Sequence, residues 1–172
     1  RYTYYMQDTN AYVPRGTRLT SGHMVVADEH LNVLNKLYML PHGRITDTYN
    51  TVDGHDFIYL NDDHYILLCY NEEIRNNIPA VLRPSINVRV IASVIQEVKD
   101  GKVIWQWDSA DYPELYAGSQ MNNDFGDTAK AQDYLHVNSI FIDPKDHNLI
   151  VSCKNSNQIL KLDRKKGSII WR

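Results

Sequence analysis

Two stretches of this chain can be laid side by side. From His55 to Trp107 the order is strand, Asn/Asp-rich turn, strand, insertion, strand, the turn Lys99-Asp100-Gly101-Lys102, and a strand carrying Val103-Ile104-Trp105. From His136 to Trp171 it is strand, the turn Asp143-Pro144-Lys145-Asp146, strand, short link, strand, the turn Arg164-Lys165-Lys166-Gly167, and a strand carrying Ile169-Ile170-Trp171. β-Branched runs bounded by Asp, Asn, Gly and Pro clusters predict strands and hairpins, and Asp-Gly is a strong short-range hairpin signal. Each stretch therefore predicts a four-stranded antiparallel unit. Consecutive units of this kind cannot bury their faces alone, and the architecture that stacks them is the all-β β-propeller, built of roughly four to eight blades.

The expected organisation is an N-terminal loop or arm over residues 1–20, an incomplete blade over 21–54, a blade over 55–107, a linker over 108–132 and a blade over 133–172. Pro14 and Gly16 break any regular pattern in the arm. Within 21–54, His23 to Ala27 and Val33 to Leu40 predict strands. Asn71 to Asn87 interrupts the next blade, with Glu72-Glu73-Ile74-Arg75 helical in character. The linker is loop-like, with short helical turns expected near Tyr112 to Tyr116. Two to three blades fall short of a ring, so the chain is expected to form an open arc or to associate with another copy or with the remainder of a propeller.

One hairpin carries the residues that resemble chemistry. If Ile142 and Asn148 close a five-residue loop, Ile140 faces Ile150, Asn138 faces Ser152 and His136 faces Lys154. Alternation then puts His136, Asn138, Ser152 and Lys154 on one face. An imidazole, an amide and an ammonium at one end of a hairpin can all donate hydrogen bonds to the same oxyanion.

Composition narrows the partners. The net charge of −3 leaves no basic footprint for nucleic acid, and Arg164-Lys165-Lys166 reads as a solvated turn. No apolar run approaches the roughly 20 residues that span a bilayer. Cys69 and Cys153 occupy equivalent positions in successive blades, too far apart for a disulfide, and are expected to be free. No His/Cys/Asp/Glu spacing matches a zinc site or a calcium loop, so neither metal nor cofactor is expected.

The run Asp133-Tyr134-Leu135-His136-Val137-Asn138-Ser139, the downstream Ser152-Cys153-Lys154, the segment Lys161 to Trp171 and the earlier Trp105-Gln106-Trp107-Asp108 resemble bacterial arylsulfate sulfotransferases over residues 20–172. The resemblance implies a six-bladed periplasmic or secreted propeller. It implies an enzyme that moves a sulfuryl group from a phenolic sulfate ester to an acceptor phenol, through a transiently sulfated histidine and without a nucleotide donor. His136 and Asn138 match the family's His-x-Asn pair, and His55 matches a further channel histidine. Lys154 stands where the family has an arginine, keeping the charge and losing the bidentate fork. The nucleophilic histidine of the family lies in a later blade, beyond Arg172, so no residue here is expected in that role and the chain reads as a fragment.

The residues alone also admit a non-enzymatic propeller that binds protein or glycan. A histidine at a strand start is more often a structural residue than a catalytic one, and Asp53 and Asp56 suffice to hold His55 in a turn. His23, His30, His42, His64 and His147 fall in or beside expected turns, where solvated roles are favoured. Trp105, Trp107 and Trp171 are expected to pack between blades.

Overall fold

The computed structural model describes residues 1–7, 22–40 and 52–172. Its strands are β1 (Tyr2–Gln7), β2 (Gly22–Ala27), β3 (Val33–Leu37), β4 (Val52–Asn61), β5 (His64–Arg75), β6 (Val88–Lys99), β7 (Lys102–Asp108), β8 (Val137–Ile142), β9 (Leu149–Cys153), β10 (Gln158–Leu162) and β11 (Ile169–Trp171). They form three antiparallel sheets, β1-β2-β3, β4-β5-β6-β7 and β8-β9-β10-β11. This is part of a β-propeller, a few blades of the expected kind. The opening strand of the middle blade, β4, lies against both β2 and β8. Period-2 alternation turns Leu149, Val151, Cys153, Leu160 and Leu162 inward, where they join Ile66, Leu68, Val94 and Trp107 in one core shared by the sheets. No helix among the described residues is long and apolar enough to cross a membrane.

The turns follow their chemistry. Asp100 and Gly101 both adopt positive φ, 50° and 69°, the backbone of a tight hairpin whose twist matches the strands it joins. The two hairpin loops of the third blade share one design. Asp143 accepts the backbone N–H of His147 and Asp163 that of Gly167, at 2.8 and 2.7 Å, and the acceptor residue of each loop also caps it through its carboxylate.

Several expectations need correction. Residues 1–20 are not all loop: Tyr2–Gln7 pair with β2 as an edge strand, the aromatic and β-branched Tyr-Thr-Tyr-Tyr run suiting a half-covered pleated surface. The insertion begins at Asn76 rather than Asn71. β5 runs on through Glu72-Glu73-Ile74-Arg75 because every residue of that helix-like segment pairs with β6. The linker does carry short 3-10 turns, at Ser109–Asp111 and Pro113–Gly118. Trp107 is buried and stacks on Tyr112, while Trp171 is 46% exposed.

Arg164 is not a solvated turn residue. It spans to the neighbouring blade, where its Nε donates to Glu97 Oε2 at 2.7 Å and its second nitrogen pairs with Oε1. His64 approaches the same carboxylate at 2.6 Å, so this histidine too is engaged rather than solvated. Burial alone would raise the Glu97 carboxyl, but the hydrogen bonds from Arg164 and His64 outweigh it and hold it below the usual value. His23 is buried on β2 with its ring 4.7 Å from that of Tyr38. His30 and His147 are exposed, and His42 lies outside the described residues.

At the end of β5, one cation serves three acids. Arg75 sits 2.8 Å from Glu73 and 3.4 Å from both Asp108 and Asp111. Burial, reinforced by the Asp108 charge, pushes Glu73 up to about 7. A carboxyl raised on folding keeps its proton while the unfolded chain gives it up, so its contribution is favourable at low pH and is lost as pH rises from about 4.5 through 7. Glu73→Gln is therefore expected to stabilise the protein at pH 8 and to change little at pH 4, which urea midpoints at the two pH values would measure.

Candidate active site

The candidate residues His55 and His136 come together where β4, β5 and the approach to β8 meet. The β8–β9 hairpin reaches them by an unexpected route. Its loop holds one more residue than expected, because His147 enters the left-handed region at φ 60°, so Ile142 pairs with Leu149 and Ile140 with Val151. A bulge between Val137 and Ser139 then absorbs the slip. Beyond it the Lys154 N–H donates to the His136 carbonyl at 2.9 Å, bringing these two residues opposite each other after all. Asn138 is the extra residue of the bulge, half-buried, and does not line the cavity beside His136.

That cavity has a volume of about 500 Å³, and His55, His136, Lys154, Asp53, Tyr70 and Tyr5 are among its lining residues. Its apolar wall comes from Val52, Ile91 and Met121. Gly54 is needed for the approach of Tyr5: a Cβ there would lie 2.6 Å from the Tyr5 ring.

Each of the two histidines leans on its own carboxylate. His136 Nδ1 is 2.8 Å from Asp133 Oδ2, and His55 Nδ1 is 2.6 Å from Asp53 Oδ1. An ionised carboxylate only accepts, so both Nδ1 atoms carry the proton and both Nε2 atoms face away from their supports. The His136 side chain is 17% exposed and its Nε2 is buried without a partner among the described residues. His55 is half exposed. The two rings stand edge to face with centroids 5.5 Å apart.

His136 itself occupies φ +56°, an uncommon conformation for a non-glycine residue and one that must be held from outside. Ser93 on β6 accepts the Val137 N–H at 3.1 Å, and the Asn155 N–H reaches the Leu135 carbonyl at 3.0 Å. Behind them Ser109 receives the Ser93 N–H and bonds Tyr134, which is buried. Asp56 accepts the Ile140 N–H at 2.8 Å and ties β8 to β4.

Tyr70 fills the gap between the pairs. Its hydroxyl is 3.0 Å from Asp53 Oδ2 and 3.1 Å from the Val137 carbonyl, and its ring is 5.3 Å from that of His136. Burial, with the Asp53 charge beside it, raises this phenol far enough that it stays protonated.

Lys154 is exposed, begins a 3-10 turn and makes no ion pair among the described residues, leaving its ammonium available to an anion. Cys69 and Cys153 are free and buried. Burial pushes the Cys69 thiol up and that of Cys153 to about 12, so neither supplies a thiolate near neutrality. No group of three or more His, Cys, Asp or Glu that could hold a metal occurs among the described residues.

Sequence reasoning passed over Asp133 as a partner, Asp53 as more than a turn residue, and Tyr70 altogether. The signal for the first two was present: each blade places an aspartate two or three residues before its histidine, as Asp53-Gly54-His55 and Asp133-Tyr134-Leu135-His136.

A family model described as arylsulfotransferase (ASST) matches residues 2–172. The chain belongs to the arylsulfotransferase family. No curated protein matches it. Membership in the arylsulfotransferase family supports a sulfotransferase-type function in general.

Proposed function

We propose that this chain carries the sulfuryl-binding side of an arylsulfate sulfotransferase site, with an aryl sulfate as donor and a phenol as acceptor. The observation that carries the reading is the buried, unpartnered Nε2 of His136, fixed by Asp133 beside His55 and the free Lys154. During transfer the S–O bond to the donor's aryl oxygen breaks, negative charge spreads over the sulfuryl oxygens, and the leaving phenolate takes a proton. Lys154 stabilises the sulfuryl charge, and protonated His136 Nε2 supplies the proton and recovers one from the incoming phenol. His55, its ring 5.5 Å from that of His136, assists proton transfer at the acceptor oxygen. Asn138, in the bulge and outside the cavity lining, is given no contact with the sulfuryl oxygens in this reading. The transfer passes through a sulfated histidine, a role assigned to no residue of this chain. The apolar wall of Val52, Ile91 and Met121, with Tyr5, accommodates an aromatic ring.

The test is release of a phenol from a chromogenic aryl sulfate with and without an acceptor phenol. In a protein that also supplies the nucleophilic histidine, acceleration by the acceptor supports transfer, release indifferent to acceptor means hydrolysis by water, and absence of release with undiminished ligand binding means a binding module. In the active protein Lys154→Arg is expected to lower KM for the donor severalfold, because a guanidinium grips two oxygens where an ammonium offers a point charge, and initial rates over donor concentration measure it.

A further inference from the structure

We infer that the Tyr70 hydroxyl, held between the Asp53 carboxylate and the Val137 carbonyl, positions the His55 and His136 imidazoles as one unit. This rests on reading those histidines as the catalytic pair. The Tyr70 hydroxyl acts through Asp53 and Val137, which makes Tyr70 a positioning residue.

Asp53 is buried and accepts three hydrogen bonds. Its Oδ1 takes the His55 backbone N–H at 3.1 Å and lies 2.6 Å from the His55 ring, while Oδ2 is reached by Tyr70. The rotamer of Asp53 therefore sets the plane of the His55 ring. The Tyr70 hydroxyl also contacts the carbonyl of Val137, the residue immediately after the left-handed His136. Ser93 already holds the Val137 N–H, so the middle blade grips Val137 by both of its backbone groups, through Ser93 on β6 and Tyr70 on β5. A phenol has one proton to share between two acceptors, and it keeps that proton because burial and the adjacent carboxylate disfavour the phenolate. Without the hydroxyl, Asp53 Oδ2 and the Val137 carbonyl both lose a partner in a site little reached by water. Asp53 is then free to rotate away from His55, and Val137 from the strained turn. One atom thus links supports that belong to different blades.

Tyr70→Phe keeps the ring against His136 and deletes only that atom. In the active protein kcat is expected to fall about tenfold with KM for the donor unchanged within about twofold, since misplacement of a catalytic group taxes the transition state more than binding. Nitrogen-detected imidazole spectra supply the readout a merely structural hydroxyl would not move. The signals of both His55 and His136 should shift in Tyr70→Phe, whereas Tyr112→Phe, which removes a remote hydroxyl bonded at 2.6 Å to the Gly167 carbonyl, should leave both in place. Asp53→Asn replaces the charged acceptor without deleting bulk. If Tyr70→Phe does not fold, movement of both ring signals in Asp53→Asn supports the linkage and movement of the His55 signal alone overturns it. Ring signals unmoved in Tyr70→Phe, or a shift confined to one histidine, overturn the inference even if His136→Ala is inactive. Conversely, an active His136→Ala refutes the functional reading, while the spectra still decide whether the two rings are linked.

Discussion

His136→Ala is expected to lower turnover by a factor of about 100 or more, because the substitution removes an acid-base group from the transition state. On the proposed reading the imidazole works as an acid-base group rather than as a packing residue. One nitrogen is tethered to Asp133 at 2.8 Å, and the other is buried with no partner among the described residues, an arrangement that costs folding free energy unless something binds there. Its left-handed backbone adds strain that the surrounding hydrogen bonds absorb. Since alanine is poorly suited to that conformation, His136→Asn is the companion variant: asparagine visits the left-handed region readily and cannot move a proton at neutral pH. Both variants should melt cooperatively and both should be nearly inactive in acceptor-dependent phenol release. Unchanged kinetics in either would remove His136 from the mechanism.

The second large effect concerns cohesion between blades. Glu97→Ala should cost about 3–5 kcal/mol, the usual penalty for removing one partner of a buried ion pair and leaving the other charge stranded. Glu97 is 5% exposed and receives Arg164 from the next blade through two nitrogens, with His64 closing the cluster from its own sheet. Arg164→Ala should cost less, because His64 still faces the carboxylate. The contribution is also pH-dependent in a definite sense. A carboxyl held below its unfolded value stabilises the fold above about pH 4.5, and this is lost as pH falls through the folded value. Urea midpoints for the two variants at pH 7 measure the difference, and a loss below about 1 kcal/mol for Glu97→Ala would class the pair with ordinary surface bridges.

Much of this architecture is legible in the amino-acid sequence, for reasons that are local. Asp100-Gly101 demands two positive φ angles, and the Asp-led loops at 143 and 163 close on their own side chains, so turns can be read without knowing what the strands touch. What escapes is decided across the sheet or between blades. Glu72-Glu73-Ile74-Arg75 looks helical in isolation, yet β6 lies alongside it and Arg89 pairs with Glu72. Arg164 looks like a solvated turn until the neighbouring Glu97 is in view. His23 looks exposed by its place in the chain and is buried by the packing of its sheet.

The site divides the same way. His136 and Lys154 come together through two compensating irregularities, a longer loop and a bulge at Asn138, and an ideal hairpin register reaches the same apposition without either. The bulge is why Asn138 does not share the cavity with them. Tyr70 had no signal in its own neighbourhood, since its importance lies in touching Asp53 from one blade and Val137 from the next.

A sulfuryl group is expected to bind at the His136, His55 and Lys154 cluster. Titration with an aryl sulfonate, which presents the donor's three oxygens without a transferable bond, tests it most directly when followed by imidazole nitrogen spectra. Saturable shifts of the His136 and His55 Nε2 signals together are expected, weakened severalfold in Lys154→Ala. Binding that leaves both Nε2 signals unmoved, or that is indifferent to Lys154, would contradict it.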